Sequence, residues 1–265
     1  MFARLRMLAL AGLGAGLAGA ALLAPLPAMA QADEEPLPRF EDALCPGVVG
    51  LKREAAEAMV GRLRANAEML GLRMAENGDC EANLVVAFLA DGRDFLSRLE
   101  DRSSYIFAEM SRDERIALMA EPGPVHAVLR VRARSRDGMP ISRRENLVDL
   151  PQTTMWMAHS KIYSATRNDI ISALILFDRD AIKGMNLDQL ADYATFRALA
   201  HRLPDTAASG TDSILTLFDS GGARPAGLTE FDRAYLGQLY TGISNLPAPA
   251  KLADLAHATG VDATE

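Results

Sequence analysis

The chain has 265 residues, 49% of them hydrophobic and 24% charged, with 28 basic against 35 acidic side chains and a formal net charge of −7. The apolar fraction is ample for a core, which excludes global disorder. The acidic balance argues against general binding to nucleic acid or anionic lipid, which need a positive field.

Arg4 and Arg6 give the chain a positive start, an apolar stretch follows from Met7 to Leu26, and Ala28-Met29-Ala30 is a small-x-small cleavage signal. This three-part layout predicts a secretory signal peptide over 1–30, cut after Ala30. A retained membrane helix is the plainer alternative, but the stretch is rich in Gly and Ala and is broken by Pro25 and Pro27. Leu5 separates the two arginines and no lipid-attachment box precedes Cys45, so Sec-type export to a periplasm is the expected route. Cleavage removes Arg4 and Arg6, leaving 26 of the 28 basic residues against 35 acidic ones, a net charge of about −9. After residue 30 no apolar run is long enough to span a membrane.

The expected organisation is a flexible leader over 31–44, one α/β (α+β) domain over 45–245 and a peripheral tail over 246–265. In an oxidising compartment Cys45 and Cys80 are expected to form a disulfide, closing a loop of about 35 residues. A redox pair or metal site is the alternative, but there is no C-x-x-C and no histidine nearby.

Leu51, Ala55, Met59, Leu63 and Leu70 predict a long helix over 51–70, ended by Gly71. The apolar run 84–89 predicts a buried strand. A helical stretch over 93–120 should break near Ser103, restart at a Ser111 cap and stop at Pro122-Gly123-Pro124. Leu129, Val131 and Ala133 alternate with Arg130, Arg132 and Arg134, the pattern of a strand with one apolar and one arginine face, and Asp137-Gly138 suggests a hairpin. A further segment spans 154–165, and 170–177 is a second buried strand. Helices follow over 187–203, over 212–218 with a Thr211 or Asp212 cap, and from a Thr229/Asp232 capping box to about Tyr240. The order gives a mixed sheet packed by an N-terminal long helix and a central helix, with C-terminal helices.

No catalytic signature is specific. Arg130, Arg132, Arg134 and Arg136, followed by Arg143 and Arg144, form a local positive patch suited to phosphate or carboxylate, although a solvated face balanced by neighbouring acids is the plainer reading. Met155-x-Met157-x-His159 would share a strand face and suit copper, yet methionine as filler is commoner. Asp178 and Asp180 could act as acid and base, but strand-end carboxylates are common. No G-x-S-x-G surrounds a serine, and the G-x-G-x-x-G of Gly14, Gly16 and Gly19 lies in the signal segment, with no strand before it.

The predicted strand 170–177 precedes a helix reading Tyr193-Ala194-Thr195-Phe196-Arg197-Ala198-Leu199-Ala200, and a later stretch runs from Leu228-Thr229-Glu230-Phe231-Asp232 to Leu239-Tyr240. In order and pattern this resembles the zincin-type metallopeptidases. There an edge strand precedes the H-E-x-x-H-A-L-G helix, and an L-S-x-x-D-x-x-x-L-x-x-L-Y helix follows in several families. It is also similar to secreted proteobacterial proteins of unknown function with this layout. Against the zinc motif only Ala198 and Leu199 match. Tyr193 stands for the first histidine, Ala194 for the glutamate and Arg197 for the second histidine, so the resemblance implies a pseudo-enzyme with no zinc, no cofactor and no catalytic residue to carry over. A plain core helix is the alternative.

The reading that follows is a periplasmic binding or scaffolding module. Its candidate contacts are Asp192, Tyr193 and Arg197 in a remnant cleft and Arg130, Arg132 and Arg134 on the strand, for an envelope protein or an anionic small ligand. The competing readings are a hydrolase with an unrecognised site and a metal-handling protein.

Overall fold

The structure, a computed structural model, describes residues 35–76, 80–102, 104–141, 160, 162–204, 210–219 and 224–260. The segment expected to be a signal peptide, the Arg143-Arg144 pair and the Met155-x-Met157-x-His159 run lie outside the described residues.

Four strands form one mixed sheet in an α+β fold: β1 (Pro46–Val49), β2 (Leu84–Leu89), β3 (Val125–Ser135) and β4 (Thr166–Asp178), in the order β1-β2-β4-β3. β1, β2 and β4 run parallel, and β3 pairs antiparallel with the outer side of β4. Helices cover both faces, so β2 and β4 are apolar on both sides and read as continuous runs rather than alternating ones. Val86, Phe88, Ile175 and Phe177 face the main core, which takes in α1 (Arg53–Met69) and α5 (Leu187–Leu199). Ala87, Leu176 and Val128 face a smaller core under α2 (Gly92–Arg102), α3 (Ser104–Phe107) and α4 (Arg112–Ala120). A 3-10 turn (Ile214–Phe218), α6 (Glu230–Tyr240) and α7 (Ala248–Thr259) complete the fold.

Local signals explain most boundaries. Ser111 and Glu114 form the reciprocal cap that starts α4, and Thr229 and Asp232 form the one that starts α6. Gly71, at φ 74°, follows α1 where the chain must turn left-handed. In β4 the register steps from Ser172 to Ile170 opposite Arg130 and Val131, which makes Ile171 the extra residue of a bulge. The bulge returns Ile170 to the main core and leaves Asp169 beside Arg134 and Arg167.

The leader expectation is corrected from Glu35 on. Phe40 and Leu44 are 2% and 1% exposed, and Arg39 pairs with β4: its N–H donates to Asn168 O, and Ile170 N donates to Arg39 O. Polar, proline-containing sequence hid these apolar anchors. The tail is not peripheral either, since Ala248, Lys251 and Leu255 give α7 a buried stripe. Lys251 Nζ donates to Gln238 O and Thr241 O, and Arg39 donates to Leu239 O and Gly242 O. Two cations thus serve the carbonyl end of α6.

Smaller differences follow the same logic. The strand before α5, an edge strand in the resemblance, is interior, and the edges are β1 and β3. The Asp137-Gly138 turn forms, with Ser135 N donating to Met139 O, but the long partner of β3 is β4. α5 ends at Leu199, and Ser213 rather than Thr211 or Asp212 caps the 3-10 turn. The Cys45–Cys80 disulfide is present, and it anchors the start of the short strand β1 ahead of α1. Among the described residues no helix is long and apolar enough to cross a membrane.

Candidate functional site

Every residue of α5 from Leu190 to Leu199 is buried, so its polar side chains must find partners inside the protein. A cap formed by Asn186 and Gln189 fixes where the helix begins and therefore where each side chain points.

Asp192 points at α1. Its carboxylate accepts from Arg62 Nε and Nη2, both at 2.7 Å, from Asn66 Nδ2 at 2.7 Å and from the backbone N–H of Leu228 at 2.9 Å. Burial pushes its pKa up, but the Arg62 and Asn66 bonds and the Leu228 N–H outweigh that and hold it below the usual carboxylate range. All of these contacts lie within the fold, so Asp192 joins α1, α5 and the 227–228 segment.

Tyr193 and Arg197, one helical turn apart, share another direction. The Tyr193 ring packs edge-on to Phe218 at 5.0 Å and lies 6.0 Å from Phe177. Arg197 Nη1 donates to Tyr193 Oη at 3.4 Å, and Nη2 donates to Glu121 Oε1 at 2.5 Å. Burial pulls the Arg197 pKa down, but the Tyr193 hydroxyl and the Glu121 carboxylate outweigh it, so the guanidinium stays charged. Burial raises the Tyr193 pKa, with Arg197 opposing.

Beside Arg197 lies a cavity of about 210 Å³. Ala127, Leu129 and Val131 of β3 form its floor, and Ala117 and Leu118 of α4 form a wall. Ala200, His201 and Leu203 close the end past α5, with Glu109 and Glu114 among the lining acids. Glu109 connects this cavity to the arginine face: its Oε1 accepts from Arg132 Nε at 2.9 Å and Nη2 at 2.6 Å, and its Oε2 lies 3.7 Å from Arg130 Nη2. Arg134 lies apart, against Asp42 at 3.2 Å and Asp169 at 3.4 Å. Of the residues singled out in the sequence, the structure therefore brings Tyr193 and Arg197 together and places Arg130 and Arg132 next to the same cavity. Asp192 and Arg134 are elsewhere.

Asp178 and Asp180 do not form a pair. Asp178 Oδ1 accepts the Gly92 N–H at 2.6 Å at the start of α2, and Asp180 meets Lys183 at the surface. Among the described residues no group of three or more His, Cys, Asp or Glu could hold a metal ion.

Two residues of this region had no signal in the sequence. Glu121 follows α4, and its partner Arg197 lies 76 residues away. His126 is 1% exposed, neither of its ring nitrogens has a hydrogen-bond partner, and its Nδ1 stands 3.9 Å from Glu121 Oε2. Alternation along β3 puts His126 on the same side as Arg130 and Arg132, the face expected to be solvated, so neither its burial nor its lack of partners could be read from the sequence. Compared with family models, with curated proteins and with solved structures, the chain matches none.

Proposed function

We propose that this chain is an exported binding module of the cell envelope, with a zincin-like layout and no catalytic zinc. The observation that carries the reading is the state of α5. At the positions where a zincin helix would present two histidines, it has Tyr193 and Arg197, already joined to each other and to Glu121 in a buried cluster. Ala194, where the general base would stand, is fully buried in the core. The helix follows directly on β4, although β4 is interior and not the edge strand of the resemblance, and the cavity beside Arg197 is the place where a ligand would bind.

The test is elemental analysis of mature protein purified from periplasm without chelator or affinity metal, together with a general peptidase assay. The expected result is no stoichiometric zinc and no peptide hydrolysis. Near-stoichiometric zinc, or hydrolysis that a chelator stops, would overturn the reading. N-terminal sequencing of the same preparation should begin at Gln31; a chain that retains Met1 would refute export by cleavage.

A further inference from the structure

Arg197 is only 8% exposed, yet it lines the cavity. A guanidinium carries five N–H donors. Two are engaged here, one by Tyr193 and one by Glu121, so three have no protein acceptor among the described residues. Nη1 and Nη2 each have a partner and Nε is not sealed from solvent, so the spare donors are open to an acceptor that enters the cavity. The other ionisable groups of the lining are already occupied. Glu109 holds Arg132. Glu114 accepts the Ser111 N–H at 2.7 Å through Oε2 and faces His201 Nε2 at 3.9 Å through Oε1.

The rest of the lining decides the ligand. The floor of Ala127, Leu129 and Val131 offers no side-chain polar atom, so the body of the ligand must be apolar. At about 210 Å³ the cavity is smaller than the ~300–1,000 Å³ that holds a drug-sized molecule, so the body must be short. Its head must be an acceptor matched to a planar fork, which is a carboxylate. A dianionic phosphate would add a second charge near Glu109, Glu114 and Glu121.

We infer that this cavity binds a small apolar monocarboxylate, its carboxylate on the free donors of Arg197 and its hydrocarbon on Ala127, Leu129 and Val131. The inference rests on the binding-module reading and gives that module its ligand class.

The experiment is calorimetric titration of the mature protein with octanoate, 1-octanol and octylammonium, each kept below its aggregation limit. Octanoate should bind one to one, and the alcohol and the amine at least about tenfold more weakly, because only the carboxylate gains charge-assisted bonds. Arg197→Lys, which keeps the charge but loses the fork, should weaken octanoate about tenfold. Arg197 is buried and its variant can fail to fold, so Ala117→Phe serves as the second variant. Position 117 lies on the exposed side of α4 at the cavity, where a phenyl ring should block octanoate and leave circular dichroism and Tm unchanged. Alcohol binding equal to octanoate, no heat from octanoate, or full binding in folded Ala117→Phe would overturn the inference. A zinc-free, inactive protein that ignores octanoate defeats this inference alone; zinc or peptidase activity defeats the module reading beneath it.

Discussion

Arg62 holds Asp192 at two points, Nε to Oδ1 and Nη2 to Oδ2, both at 2.7 Å, and so ties α1 to α5 across 130 residues of chain. The two ends are unequal. The Asp192 side chain is 0% exposed and the Arg62 side chain is 38% exposed. Removing the buried end takes the acceptor from four N–H groups, two of them the buried ones of Asn66 and Leu228, whereas removing the outer end lets water reach an aspartate that Asn66 and Leu228 still serve. Asp192→Ala should therefore cost about 3–5 kcal/mol, and Arg62→Ala about 1–3 kcal/mol. Urea unfolding measures both, and equal costs would show that the exposed charge is not relieved by solvent. The contact also has a pH signature. Because the folded pKa is below the usual value, its stabilisation is complete above the unfolded carboxylate pKa of about 3.9 and disappears as pH falls through the lower folded value. Asp192→Asn should flatten the acid limb of the stability curve.

The same carboxylate constrains a glycine. A Cβ on Gly227 would stand 2.6 Å from Asp192 Oδ2, an oxygen held by Arg62 and Leu228 and unable to retreat. Gly227→Ala should cost at least about 2 kcal/mol, the scale of overpacking a core. Gly61, inside α1 with open space around its would-be Cβ, is the contrast. Gly61→Ala should stabilise by about 0.5–1 kcal/mol through helix propensity alone. Thermal unfolding of the two variants should shift Tm in opposite directions. Shifts of the same sign would contradict the close approach at Gly227.

Much of the frame can be read from sequence because the strands and caps depend on neighbouring residues. β2 and the core of β4 are continuous apolar runs, and the caps at Ser111 and Thr229 lie three residues from their partners. β1 could not be read, because four residues become a strand only when β2 lies beside them. The leader and α7 were hidden for a related reason, since their few apolar anchors are buried only once the rest of the fold exists. The candidate site was half legible. An α-helix turns once in about 3.6 residues, so Tyr193 and Arg197 share a side, whereas Asp192, expected in the same cleft, is about 100° round from Tyr193 and points to α1 instead. Which acid meets which arginine depends on chain brought together over long separations. Glu121 and Arg62 therefore give no local signal, and neither does the pairing of Glu109 with Arg132.

The disulfide Cys45–Cys80 spans 35 positions and holds the start of β1 near the chain that enters β2. β1 is a four-residue edge strand whose one strand partner is β2. In the chain-entropy model a loop of this size contributes about 3–4 kcal/mol. The doubly substituted Cys45→Ala, Cys80→Ala protein should lose about that much in denaturant unfolding. Hydrogen exchange should rise first in β1, with β4 protected until global unfolding. Uniform loss of protection across the sheet would show that β1 is not a separable edge.

His126 gives the protein its clearest expected response to mild acid. Its imidazole is buried, both nitrogens are unpartnered, and the charges facing it are Glu121, Arg93, Asp178 and Arg197. Burial lowers its pKa, with Glu121 and Asp178 opposing and Arg93 and Arg197 reinforcing. The unfolded chain therefore binds the proton more readily than the folded one. The contribution of His126 is intact above the unfolded histidine pKa of about 6.5 and is lost as pH falls through the lower folded value. His126→Leu should remove this loss and strand no hydrogen bond. At pH 8 the variant should be as stable as the parent or more so, by up to about 2 kcal/mol. Between pH 8 and pH 5 the parent should lose up to about 2 kcal/mol more than the variant. His201, whose pKa burial also lowers, remains in both proteins and cancels in the comparison. Guanidinium unfolding at the two pH values gives the difference directly. Identical pH slopes would mean that His126 takes up its proton within the fold, with Glu121 closing the 3.9 Å gap to become its counter-ion.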